Sequence, residues 1–472
     1  MRLPLFPVIF AAAFLASASG TEGALAAGAF TAFDDTGFAF VHAILLSGHG
    51  DVKRDWTVVV RDGLIIEVGP SAAVRLAPGT KIVDATGDSL VPGLVGMHEH
   101  LYAELGDNVS TSPTMLVSAP RLYLAAGVTT ARTTGSLETY SELELKKRID
   151  AGAEPGPTLD VTGPYLSGPA EPLITQYASL RSPEDATQTV DFWTDRGVTS
   201  FKAFLALTRA ELGATIQEAH RRGVLVTGHL CSVTMGEAAD LGIDQLEHGI
   251  VQSSDFVTDK QPDVCPAFRA LFESYSALQE SDPRIEALIS RLVAHHVAVT
   301  STLAVLERDF GLAPPLDAGE LALLDSTARE GYDRHAARPR MPAARASHIM
   351  DVEMSFERRF VAAGGLLTAG ADSGVGTLPG FADERTLELL AKAGFSPREV
   401  VTIATLNGAK AMRRADRIGS IETGKDADLV LLHGDVSADV ASFRHVAVVV
   451  KRGVAYDPQK LLASVQGMYG RE

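Results

Sequence analysis

Two histidines one residue apart end the apolar run Val91-Pro92-Gly93-Leu94-Val95-Gly96-Met97-His98-Glu99-His100. Side chains alternate along a strand, so His98 and His100 leave the same face of it. Neutral imidazole nitrogens placed this way suit Zn²⁺ and similar ions. An isolated His-x-His is more often part of a solvated turn, so the rest of the chain has to supply further ligands. It offers Lys202 in Ser200-Phe201-Lys202-Ala203-Phe204, His229 in Thr227-Gly228-His229, His248 in Leu246-Glu247-His248-Gly249, and Asp372 in Ala369-Gly370-Ala371-Asp372-Ser373. A lysine ammonium has no lone pair, but a buried lysine can lose its proton and take up carbon dioxide. The resulting carbamate has two oxygens that can bridge two cations. Singly, a strand lysine is usually snorkelling or paired and a strand histidine usually hydrogen-bonded in the core. Jointly, six potential ligands in this order point to a two-metal site.

The elements that must hold these residues alternate strand with helix. Strand candidates fall at 91–100, 127–134, 158–165, 198–205, 224–230, 242–248, 297–303 and 366–372, and each proposed ligand lies at or near the C-terminal end of one. Helical periodicity fills 137–151, 183–196, 208–222, 284–295, 348–363 and 383–393. The third of these opens on Thr208 with Glu211 three residues on, a capping pair. Eight such units predict an α/β fold, a (β/α)8 TIM barrel, with its active site at the C-terminal ends of the strands. Residues 38–47, 56–60, 64–68 and 81–83 are β-rich, with a hairpin signal at Asp62-Gly63. The tail is β-rich again at 419–422, 427–432 and 446–454. These segments predict a small β-sandwich domain built from residues 27–90 and 413–472, around a barrel of residues 91–412. The long connections 252–283 and 307–346 emerge on the active-site side, where lids form. They carry Phe256, Phe268, Phe272, Tyr275, Phe310 and Tyr332.

With 42 Lys+Arg against 59 Asp+Glu the net charge is −17, which repels nucleic acid and anionic membrane. Residues 1–26 read as an export signal, with a positive start, an apolar stretch too short to span a bilayer and small-residue cleavage sites after Ala18 or Ala26. The second site is preferred, and neither is followed by a cysteine that could carry a lipid. The mature protein is therefore expected to be periplasmic or secreted, with no membrane association after cleavage. Cys231 and Cys265 are too few for a disulfide scaffold, although an oxidising compartment would permit one bond. The expectation is that they stay unpaired, Cys231 serving as a small buried hydrophobe.

The motifs Val83-Asp84-Ala85-Thr86-Gly87, Pro92-Gly93-Leu94 to His100, Gly127-Val128-Thr129-Thr130, Glu247-His248-Gly249, Gly370-Ala371-Asp372 and Gly419 to Val430 resemble the amidohydrolase superfamily. The closer resemblance is to its imidazolonepropionase-like and prolidase-like metal-dependent hydrolases, which include Xaa-Pro dipeptidases, carboxypeptidases and N-acyl amino acid amidases. The likeness covers nearly all of the mature chain. It implies two divalent metal ions, with Zn²⁺ expected. His98, His100 and Asp372 would hold one, His229 and His248 the other, and N6-carboxylated Lys202 and a hydroxide would bridge them. Asp372 would be the general base. Deaminases of the superfamily often use one metal and lack the strand-four lysine, so Lys202 favours a two-metal hydrolase.

Two further residues are candidates for substrate contact. Arg132 could clamp a substrate carboxylate, or equally form a structural ion pair. Tyr165 could donate to a developing oxyanion, or pack. The resulting expectation is an amidohydrolase, a peptidase-like enzyme acting on a small carboxylate-bearing dipeptide or N-acyl amino acid, and forming a homo-oligomer. Lactone or ester hydrolysis on the same site, and a non-catalytic periplasmic binding protein, are the rival readings.

Overall fold

Apolar alternation builds the small sheet. A computed structural model describes residues 28–471, apart from 104, 106–111, 172, 252 and 339, so the expected export segment lies outside the described residues. In strand Gly37–Leu46 the side chains of Phe38, Phe40, Ala43 and Leu45 share one core with Val58, Val60, Leu90, Leu429, Leu431 and Val450. A register shift between Phe40 and Ala43, with His42 at φ 62°, keeps both halves of the strand facing that core. The strands order as Val454–Tyr456, Val446–Lys451, Leu429–Leu432, Ser89–Pro92, Gly37–Leu46, Val52–Arg61 and Leu64–Pro70, with Lys81–Asp84 also paired to Gly37–Leu46. The expected sandwich is thus one continuous eight-stranded sheet folded over its own core. Its first and last parts in sequence join it as foreseen. Residues 419–422 form no strand, and 446–454 is a hairpin turned by Arg452 and Gly453, both at positive φ. The expected Asp62-Gly63 turn has the same form.

The strand expected over 91–100 divides at Gly93. Ser89–Pro92 belongs to the small sheet, while Leu94–Glu99 is the first of eight parallel strands. Consecutive backbone amides part company there: Gly93 N donates to Asp428 O at 2.8 Å and Leu94 N to Gly127 O at 2.9 Å. Only glycine fits, because a Cβ on Gly93 would lie 2.1 Å from Thr129 Oγ1.

The parallel strands are β1 (Leu94–Glu99), β2 (Val128–Thr133), β3 (Thr158–Val161), β4 (Ser200–Ala203), β5 (Leu225–Gly228), β6 (Gln245–Glu247), β7 (Ala298–Ser301) and β8 (Leu367–Ala369). All eight expected positions are occupied. β1 to β3 form one sheet, and β4 to β8 a second that includes two short strands, Leu166–Ser167 and Ala178–Ser179. A parallel bridge from Thr162 to Ser200 links the two sheets on one side, and Asp372 N donates to His98 O at 2.9 Å on the other. The helices between them are set by their ends: Thr208 and Glu211 form the foreseen capping box before Arg209–Arg221. Among the described residues no helix is long and apolar enough to cross a membrane.

The two long connections are partly helical, with Phe268–Ser276 in the first and Ala318–Leu323 and Ser326–Ala336 in the second. The first folds back over the end of β5, where Lys260 Nζ donates to Ser232 O and Arg209 pairs with Asp263. That return brings Cys265 onto Cys231 in a disulfide, correcting the expectation of unpaired thiols. Tertiary return of the segment, which the 34-residue spacing does not reveal, decides the pairing.

Gly93→Ala forces a methyl into the β-branched Thr129 side chain. Overpacking of this kind costs about 1–3 kcal/mol, so the variant's thermal midpoint should fall; an unchanged midpoint would show the junction to be tolerant.

Candidate metal centre

Strand ends deliver the ligands. His98 lies in β1, Lys202 in β4, and His100, His229 and His248 directly after β1, β5 and β6, while Asp372 sits three residues past β8. Gly370 lets β8 approach, since a Cβ there would be 2.4 Å from His98 N. His248 and Asp372 are held at φ 68° and 47°, conformations that side chains seldom adopt and that redirect each group from its strand axis. His98, His248 and Asp372 present ligand atoms all within 4.8 Å of one another. Asp372 Oδ1 lies 2.9 Å from His100 Nε2 and 3.4 Å from His98 Nε2, and its Oδ2 is 3.6 Å from His248 Nδ1. The His229 ring centre is 4.5 Å from that of His248. Lys202 is buried, and its Nζ has no hydrogen-bond partner among the described residues; the same is true of His100 Nδ1.

Electrostatics keep the donors available. Burial, followed by the Lys202 charge, lowers the His98 imidazole to about 4 and His229 to about 3. Burial and the neighbouring His229 and His98 hold His248 well below its usual value. Burial pushes the Asp372 carboxyl up, but His98, His100 and His248 outweigh it and keep the group ionised. Burial pulls the Lys202 amine down to about 8, against Glu247 and Asp372, which favour its charged form. Neutral imidazoles, an ionised carboxylate and a buried amine are the donor set that divalent ions and a lysine carbamate require.

One buried carboxylate orients the set. Glu247 Oε2 lies 2.8 Å from His98 Nδ1, leaving His98 Nε2 turned to Asp372, and Thr302 Oγ1 is 2.8 Å from His248 Nδ1. Glu247 Oε1 accepts from Arg132 Nη2 at 2.7 Å and from Thr227 Oγ1. Burial raises Glu247, but Arg132, Lys202 and His98 hold it well below the ordinary carboxylate range.

Arg132 is therefore no substrate clamp. It is 1% exposed, its Nε and Nη2 donate to Met97 O, and its Nη1 donates to Gln245 Oε1. Of the two roles considered for it, the ion pair holds. Tyr165 reaches the site indirectly: its hydroxyl is 2.7 Å from that of Tyr102, whose ring stacks on His100 with centres 4.5 Å apart. Ser373 turns away to Tyr123.

Glu247, Tyr102 and Glu99 were not singled out from the sequence. Glu99, between the two histidines, faces the opposite side and shares a buried acidic pocket with Asp383. Burial and that neighbour raise its carboxyl well above normal, while burial raises Asp383 to about 7. A charged residue inside an apolar strand is the signal that such partners exist.

The chain matches the amidohydrolase family over residues 89–455 and belongs to it, in the imidazolonepropionase-like and prolidase-like branch. It is a hydrolase of C–N bonds. It is 25% identical to an imidazolonepropionase of Symbiobacterium thermophilum over 86% of this chain and 92% of that protein. It is 28% identical to the imidazolonepropionase of Stenotrophomonas maltophilia over 86% and 93%. A crystal structure from Bifidobacterium longum, provisionally assigned as a prolidase, superposes with a TM-score of 0.63 at 27% identity, covering 91% of this chain and 98% of that one. The fold is also that of a Xaa-Pro dipeptidase with bound methionine, at TM-score 0.65 and 17% identity over 89% and 100%. The family and these neighbours imply a TIM barrel with an additional domain, and the family generally uses metal ions.

Arg132→Met strips Glu247 of its guanidinium. Leaving a buried charge unpaired costs about 3–5 kcal/mol, so denaturant unfolding should show a loss of stability of that order, and any loss of activity should fall on acid and amide substrates alike. A stable variant impaired only on acids would restore the clamp.

Proposed function

We propose that the protein is an exported, binuclear metal-dependent amidohydrolase that cleaves the amide of a small, carboxylate-bearing dipeptide or N-acyl amino acid. The observation that carries this reading is the convergence of His98, His100, His248 and Asp372 beside a buried Lys202 whose Nζ has no hydrogen-bond partner among the described residues. We read the two parallel sheets as one closed (β/α)8 barrel. The reading is supported by the Thr162–Ser200 bridge, the Asp372–His98 bond, and side chains of β1 and β2 that meet those of β6. The boundaries 27–90, 91–412 and 413–472 remain our division of the chain, with the barrel part entered at Leu94.

In this reading His98, His100 and Asp372 would hold one divalent ion and His229 and His248 the other, with carboxylated Lys202 shared between them. Zn²⁺ is the ion that the imidazole-rich set suits. Bound, the ions would supply an acidified water and a polarised carbonyl. Asp372 accepts the proton of the attacking water on a carboxylate oxygen and delivers it to the departing amine nitrogen. Glu247 fixes the His98 tautomer, and Tyr102 backs the His100 ring.

Export is supported by the Cys231–Cys265 disulfide, since such bonds persist in oxidising compartments. The acidic balance supports a small-molecule substrate over nucleic acid or membrane partners. The homo-oligomer is retained as part of the proposal.

Lys202→Ala should lose bound metal and activity together, with partial recovery on adding a short carboxylate. Two ions per chain and normal turnover in that variant would remove the bridge. Asp372→Asn should lower turnover by about 10²-fold or more with a far smaller loss of metal, measured on the same preparations; an active Asn variant would exclude Asp372 as the base.

A further inference from the structure

A cavity of about 530 Å³ opens beside the loop that follows Asp372. Its walls come from chain that follows the C-terminal ends of several parallel strands. Val375 and Gly376 follow β8, Leu173 lies beyond β3, and the segment after β7 supplies Arg308, Arg334, Arg338 and Arg340. Leu105 adjoins them, its O accepting from Arg334 Nη2 at 3.1 Å. Two hydrogen bonds tie this wall to the metal-ligand cluster. Arg308 Nη1 donates to Thr377 Oγ1 at 3.1 Å, and Thr377 Oγ1 donates to Asp372 O at 3.5 Å.

The chain carries −17 overall, yet among the described residues four guanidiniums line this space with one carboxylate, Asp309. Asp309 pairs with Arg308 at 2.8 Å, and Glu330 lies 3.7 Å from Arg334. Arg340 Nη1 donates to Gly311 O at 3.1 Å. A concave wall rich in guanidiniums attracts anions, and the guanidinium fork matches a carboxylate in two parallel hydrogen bonds. Phe310, Tyr332, Pro314 and Pro315 add an apolar side. The volume is that of a pocket for a small ligand.

We propose that this cavity is the enzyme's anion subsite: Arg334 and Arg340 bind the free carboxylate of the substrate, whose acyl amide extends to the cluster around Asp372. Phe310 and Tyr332 pack against its apolar part. Arg334 and Arg340 then set acid specificity, a role that Arg132, turned inward to Glu247, does not fill. This inference rests on the hydrolase reading above.

N-benzoylglycine and its carboxamide test it on the full-length mature protein. Titration calorimetry on metal-depleted protein should show the acid binding at least about tenfold more tightly than the amide, about 1.4 kcal/mol. In metal-loaded protein kcat/KM should favour the acid by about 30-fold, the low end for a charged contact. In Arg334→Gln/Arg340→Gln, shown to be folded by circular dichroism, both ratios should fall toward one, and Arg334→Lys/Arg340→Lys should keep part of the preference. An acid preference that survives in the Gln double variant, or equal or absent binding of the acid by the native protein, overturns the subsite. An arginine-dependent acid preference in binding, with no hydrolysis of either compound after metal loading, upholds the subsite and counts against the amidase reading instead.

Discussion

The site depends on an ion pair that touches no substrate. Glu247 is fully enclosed, and a carboxylate in such a place is tolerable only if its charge is met and its oxygens are bonded. Arg132 meets the charge from β2, Thr227 adds a hydroxyl from β5, and His98 takes the second oxygen from β1. Three strands distant in sequence are thereby locked in one register. The imidazole that faces Asp372 acquires a fixed ring plane as a by-product. Loss of the guanidinium would therefore be felt as instability before it was felt as altered specificity.

Around this pair the chain places its irregularities where chemistry needs them. The turn at Pro92-Gly93 lets one run of sequence end a strand in the small sheet and begin β1, so the start of β1 is anchored by both sheets. His248 and Asp372 leave their strands in left-handed conformations that cost backbone energy. The surrounding hydrogen bonds, between Thr302 Oγ1 and His248 Nδ1 and from Asp372 N to His98 O, hold them there. Glu99 and Asp383 form a buried acidic pair on the opposite face of β1. The His98-Glu99-His100 triplet thus serves two compartments, ligands on one side and packing on the other.

Much of this was legible in the sequence. The eight parallel strands fall where alternating β-rich and helical stretches put them, because each buried strand leaves an apolar run and each helix a capped amphipathic one, as at Thr208 and Glu211. The ligand-type residues stood out because histidine, lysine and aspartate at strand ends have few structural uses in that order. Partners were not legible. Nothing local to Arg132 says that Glu247 lies across the strands from it, and nothing in the spacing of Cys231 and Cys265 says that residues 252–283 return over β5. The division of 91–100 between two sheets escaped for a similar reason: Pro92-Gly93 reads equally as a bend within one strand, and only the amide bonds of Gly93 and Leu94 separate the two.

The central claim is that the side chains gathered at the strand ends form a two-ion site bridged by modified Lys202. Anomalous diffraction from crystals of the metal-loaded protein, with elemental analysis of the same sample, tests it most directly. The account predicts two ions per chain within the cluster of His98, His100, His229, His248 and Asp372, and density for a carboxyl group on Lys202 Nζ. One ion per active chain beside an unmodified Lys202 would contradict it.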